Sequence, residues 1–168
     1  METMIALGML LVVATGVMGL ATVAVSTTET QGHLAARTAE YSQDKMEQLL
    51  ALHFCDGQTD TTQFPAPSTG GTGLAGCTNL TAATPTATAG GSLSTTAPTP
   101  LYVDYLDGSG SRVASTATWE YIRVWQITVP AGSVGMKQVT VLTKANHASG
   151  GGLTVPQSTV VALKTYPF

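Results

Sequence analysis

Few side chains in this sequence are of a type and spacing that could do chemistry. The only two cysteines, Cys55 and Cys77, can form one disulfide, and an even pair in an exported segment most often does so. Closing a loop of about 22 residues would stabilise the fold by roughly 3 kcal/mol in the chain-entropy view. The alternative is a pair of free thiols. Zinc is not supported, because His53 and Cys55 lack the further ligands that a closed tetrahedral site needs. His33, His53 and His147 show no ligand spacing, and the chain carries no GxSxG, HExxH or P-loop segment. No catalytic residue, metal ligand or cofactor is therefore expected, and the chain does not read as an enzyme. Asp104 and Asp107 flank the turn Asp107-Gly108-Ser109-Gly110 and are expected to shape it, since a calcium loop needs more oxygen ligands in sequence. Asn79-Leu80-Thr81 is a formal acceptor for N-linked sugar, a short pattern that also arises by chance. Glu2 is a carboxylate directly ahead of an uncharged apolar run.

That run, Met4 to Val25, contains no charge and no proline. About 22 residues at ~1.5 Å rise cover roughly 33 Å, enough to cross a bilayer's hydrocarbon core. It is apolar on every face, so lipid or other helices must surround it. Gly8, Gly16 and Gly19 would each cost about 1 kcal/mol in a solvated helix, but in membranes small residues let neighbouring backbones approach. A secretory signal would have a basic start and a shorter core, so the run reads as retained. Proline-free helical composition continues to about His53, and Ala35, Ala39, Ser42, Met46, Leu49, Leu50 and His53 recur at steps of three or four. That stripe should pack on a sheet, with Glu40, Gln43, Asp44 and Glu47 facing water. The helix is expected to end between Phe54 and Gly57.

From Gln58 to Pro100 the chain is rich in Thr, Ala, Gly, Ser and Pro and reads as a long exposed loop. Strand patterns follow at Leu101–Leu106, Trp119–Val129, Lys137–Lys144 and Ser158–Thr165, with a glycine turn at 150–152. In the second, Trp119, Tyr121, Arg123, Trp125, Ile127 and Val129 share a face. In the third, Val139, Val141 and Thr143 do. Short connections favour an antiparallel meander. The expected fold is α+β: a helix over 1–54, a Thr/Gly/Pro-rich loop over 55–100, and an antiparallel head of about four strands over 101–168. So small a head, of about seventy residues, often needs a staple or a partner. Charged residues make up only 10% of the 168, with a formal net charge of −3. The seven Lys and Arg are scattered and form no basic patch, so nucleic acid is not an expected partner.

The opening, ETMIALGMLLVVATGVMGLA, resembles the start of type IV pilin-like proteins, especially minor pilins and pseudopilins of the PilV kind. AEYSQDKMEQLLAL is similar to the end of their long helix, and VDYLDGSGS with WEYIRVWQITVPAGSVGMKQVTVLT to their first strands. The resemblance spans most of the chain apart from the Thr-rich segment. It implies a structural subunit of a type IV pilus or pseudopilus, assembled by packing of apolar helices. The exposed head would then serve surface contact, adhesion, motility, DNA uptake or secretion. The implied partners are other pilin subunits, a prepilin peptidase, the pilus assembly machinery, and the inner membrane before extraction into an extracellular or periplasmic filament. It also implies a role for Glu2: a carboxylate bordering an apolar zone is expensive unless paired, and the implied partner is the N-terminal amine of an adjacent subunit. The plainer role is complementing the helix dipole. The start departs from the family, with Met1 where an aliphatic residue usually precedes the glutamate, and keeping the family's spacing places a leader upstream of Met1. A stand-alone, single-pass adhesin is the competing reading.

Overall fold

The computed structural model describes residues 2–55, 73–147 and 155–166. A single helix, α1 (Glu2–Ala51), carries both the apolar stem and the amphipathic half without interruption. At ~1.5 Å per residue it is roughly 75 Å long. It stops at Ala51, ahead of the expected Phe54–Gly57 boundary, and one lysine takes up carbonyls at its end. Lys164 Nζ donates to the carbonyls of Leu50 and Leu52, the latter at 2.6 Å. These are the orphan acceptors that any helix C-terminus leaves.

The strands are β1 (Cys77–Thr78), β2 (Thr86–Ala87), β3 (Gly90–Gly91), β4 (Val103–Leu106), β5 (Arg112–Val113), β6 (Tyr121–Thr128), β7 (Met136–Ala145) and β8 (Gln157–Thr165). β1 and β2 pair as a small ribbon, and the main sheet runs β5-β4-β6-β7-β8, antiparallel throughout. β3 lies end to end with β4 along one edge of β6. The fold is therefore α+β, one long N-terminal helix packed on a C-terminal antiparallel sheet. All four expected strands are present, and β3 and β5 widen the sheet to six.

Three sequence expectations need correction. Trp119 lies ahead of β6, outside any strand, and its ring sits 5.4 Å from Tyr105 rather than in the strand's inward row. The Thr-rich stretch is not wholly exposed: from residue 73 onward it supplies three short strands and the fully buried Leu74. Residues 56–72, and the glycine turn at 150–152, lie outside the described residues. The inward helix stripe is Thr38, Tyr41, Ser42, Lys45, Met46 and Leu49, while Ala35, Leu50 and His53 are exposed. Polar Thr38 and Lys45 stand on the packed face because Thr38 donates to the Ala35 carbonyl of its own helix and Lys45 meets Asp104 of the sheet, which apolar periodicity cannot register.

Met46, Leu49, Leu74, Trp125, Ile127, Val139 and Val141 form the core, all but Met46 at 0–1% exposure. Burying each side chain of this size contributes about 1.5–3 kcal/mol. A second cluster of Tyr41, Leu106, Tyr121 and Ala145 closes the end of the head nearer the stem. Gly91 shows why the edge strand beside β6 needs glycine. It has φ +75°, and a Cβ there would meet the Trp125 carbonyl oxygen at 2.3 Å.

Candidate functional site

The stem is a continuous unpacked apolar surface. Every described side chain from 3 to 26 is exposed, including Met4, Leu10, Met18 and Leu20, each more than two-thirds accessible. It is the one described helix long and apolar enough to cross a membrane, by length and composition. Four of its hydroxyls donate back into the helix's own backbone. Thr15 donates to the carbonyls of Leu11 and Val12, Thr22 to Gly19, Ser26 to Val23 and Thr28 to Ala24. Such back-bonding lets Ser and Thr sit in an apolar medium without an orphaned group. Gly8, Gly16 and Gly19 meet nothing within 4 Å, so their backbone is open to a neighbour. Glu2 opens α1, but its side chain lies outside what the structure describes.

Where the helix meets the sheet, four ionised side chains, Lys45, Arg112, Arg123 and Asp44, gather around Asp104. Its Oδ2 accepts from Arg123 Nη2 at 2.9 Å and lies 3.2 Å from Lys45 Nζ. Its Oδ1 lies 2.9 Å from Arg112 Nη2. Arg123 Nη1 in turn donates to the Tyr41 carbonyl and to Asp44, both at 3.0 Å. Burial alone would raise the Asp104 pKa, but the Lys45, Arg123 and Arg112 charges hold it below the usual carboxylate value. Burial pushes Lys45 down, opposed by Asp104, and its ammonium also rests 4.2 Å from the centre of the Trp125 ring. The cluster bolts α1 to β4 and β6. Beside it, Ser42 Oγ bridges Thr143 Oγ1 at 2.8 Å and the Ser158 carbonyl at 3.2 Å, reaching β7 and β8.

Asp104 thus does not flank the turn as expected. It sits inside β4 at 1% exposure and organises the helix–sheet joint. Asp107 alone shapes the turn, accepting from the backbone N–H of Ser109 and of Ser111 and from the Ser109 hydroxyl. Those hydrogen bonds, led by the Ser109 hydroxyl, lower its pKa.

At the end of the head away from the stem, Cys55 and Cys77 are joined by a disulfide with their Cα atoms 5.0 Å apart. It ties the chain just past the helix to β1. Beneath it, Lys137 is fully buried, and its ammonium donates to the carbonyls of Phe54 at 2.8 Å, Leu74 at 2.6 Å and Gly76 at 2.5 Å. Asn79 is exposed, at φ +54°, on the turn that follows β1, and its side-chain amide donates to Thr86 Oγ1 at 3.3 Å.

Sequence reasoning missed Lys45, Lys137, Arg112 and the role of Asp104. Arg123 carried a signal, since it already alternates with Tyr121, Trp125 and Ile127. Lys137 carried the same one, two residues ahead of Val139 in the inward row of β7. Among the described residues no three His, Cys, Asp or Glu side chains gather as metal ligands. The chain matches no protein family, no curated protein and no solved structure.

Proposed function

We propose that this chain is a structural subunit of a type IV pilus or related pseudopilus. Before assembly it sits in the inner membrane by its stem, with the head on the outer side. Other pilin subunits are its partners, delivered through a prepilin peptidase and the assembly machinery. The observation that carries this reading is the stem itself. Over residues 3–26 the helix is apolar and unpacked on every side, yet it runs without a break into a head bolted to its second half. A rigid rod of this kind transmits position from stem to head, as a filament requires and a loosely tethered domain does not. The helix-plus-sheet architecture supports it, as does the disulfide, which suits an oxidising compartment. We assign Glu2 the pairing role at assembly, with a neighbouring subunit's amine as its counter-charge, and no catalytic role to any residue.

The test compares Glu2→Ala with Glu40→Ala. Glu40 is exposed and, among the described residues, pairs with Arg37 at 3.5 Å. Both variants should fold and reach the membrane fraction, whereas sheared filaments should contain Glu40→Ala at wild-type level and little Glu2→Ala. Equal incorporation of the two would defeat the assembly role. A chain found only in membranes and never in filaments would favour the single-pass anchored adhesin.

A further inference from the structure

The main sheet has two unlike edges. On one side it ends in β3 and β5, each of 2 residues, and strands so short leave little to pair with. On the other it ends in β8, 9 residues in unbroken register with β7, with no bulge and no proline. The hydrogen bonds at the two ends of this pairing fix which backbone groups face outward. The Ala145 N–H donates to the Pro156 carbonyl and the Tyr166 N–H to the Gly135 carbonyl, so the even-numbered residues of β8 bond to β7. Gln157, Thr159, Val161, Leu163 and Thr165 therefore turn their N–H and C=O groups to the free edge. Among the described residues no backbone group meets them.

Nothing on this row resists another strand. None of its side chains is charged, and Val161 and Leu163 are exposed at 55% and 60%. The one charge in β8, Lys164, is committed to the carbonyls of Leu50 and Leu52. The flank of α1 above the edge is equally bare. Ser42 bonds to the Ser158 carbonyl and Lys164 to the end of the helix, so α1 runs alongside β8. Asp44 and Lys45 reach β6 and β4 on its other side. At about 3.6 residues per turn, the flank toward the edge carries Ala39, Gln43 and Leu50, with Glu40 and Glu47 exposed farther round.

We propose that β8 pairs antiparallel with β8 of a second copy of this chain. A row of alternating backbone donors and acceptors calls for another strand, and β8 is complementary to itself. With a twofold axis at Val161, that residue lies opposite its own copy, Thr159 opposite Leu163 and Gln157 opposite Thr165, so every outward N–H and C=O finds a partner. Lys164 falls opposite Ser158, never opposite another lysine. At the ~4.8 Å strand spacing the two helices come side by side at roughly the 8–10 Å at which helices pack, with the small and uncharged flanks between them. Such an interface lies at the small end of the ~1,200–2,000 Å² of specific complexes, so the pair is weak and concentration-dependent. Antiparallel pairing sends the two stems in opposite directions. It therefore joins subunits of separate filaments or facing membranes, not neighbours in one filament, and between two filaments many such contacts act together. That consequence rests on the filament reading; the dimer itself does not.

Sedimentation equilibrium of the full chain in a neutrally buoyant detergent tests it. Wild type should show a monomer–dimer equilibrium. Hydrogen exchange at the amides of Thr159, Val161 and Leu163 should slow as concentration rises, while the even-numbered amides of β8 stay as they are. Val161→Lys sets like charges opposite each other on the twofold axis and should weaken the dimer by about tenfold or more. Val161→Glu should do the same alone, and an equimolar mixture of the two variants should dimerise again. Unchanged thermal melting would show that both fold; if either does not, the exchange measurement on wild type decides. A wild type that stays monomeric up to ~1 mM, or a mixture that fails to recover, would overturn the inference. So would a dimer that neither substitution weakens, since that contact would lie on the stem. None of these results bears on assembly through Glu2.

Discussion

Lys137 donates a 2.8 Å hydrogen bond to the carbonyl of Phe54, a residue 83 positions earlier in the chain. Phe54 precedes Cys55, and Gly76, another acceptor of the same ammonium, precedes Cys77. One buried cation therefore gathers both flanks of the disulfide. Lys137→Met keeps the bulk of the side chain and strands these acceptors. Orphaned buried acceptors cost about 1–3 kcal/mol apiece, so stability should fall by roughly 2–4 kcal/mol in urea unfolding. A loss under about 0.5 kcal/mol, the scatter of ordinary surface changes, would show that other groups satisfy the carbonyls.

The disulfide closes a loop of 22 residues, for which the chain-entropy view predicts about 3 kcal/mol. Replacing both cysteines by serine should lower the unfolding midpoint accordingly while leaving the sheet intact. Circular dichroism at low denaturant should match wild type. Loss of β signal without denaturant would mean that the staple is a condition of folding rather than a supplement.

Leu49 and Leu50 are neighbours with opposite fates, one at 1% exposure in the core and the other at 37%. Leu49→Ala should cost about 2–5 kcal/mol through lost burial and a cavity, and Leu50→Ala less than about 1 kcal/mol. Comparable losses would show that the helix is rotated relative to the sheet from the packing described.

Asp104 has a pKa held below its ordinary value by Lys45, Arg123 and Arg112. A depressed carboxylate contributes stability that is fully present above the unfolded value of about 3.9. That contribution is lost as pH falls through the lower folded value. Wild-type stability should therefore change little on this account down to about pH 5 and then fall steeply. Asp104→Asn should destabilise by about 3–5 kcal/mol at neutral pH, because it strands buried cations. Its acid limb should also be shallower than wild type. Parallel acid limbs in the two proteins would remove Asp104 as the titrating group.

Composition and periodicity were enough for the stem, the α+β order and the main strands. An uninterrupted apolar run needs only counting, and the alternation through Tyr121, Arg123, Trp125 and Ile127 records one buried face of a sheet. The short strands β3 and β5 left no readable period, since two residues cannot display one. Their pairing comes from the edges of β6 and β4. The disulfide was legible because the chain offers one possible pair.

What the local sequence determined is the type of each element, because hydrophobic spacing and turn residues act over a few positions. What only the tertiary structure decided is which polar groups go inside. Lys45, Asp104, Arg123 and Lys137 are buried because partners from distant parts of the chain converge on them. Arg123, for example, reaches Tyr41 across 82 positions. The cost of burying a charge depends on its three-dimensional neighbours, and no reading of nearby residues contains them.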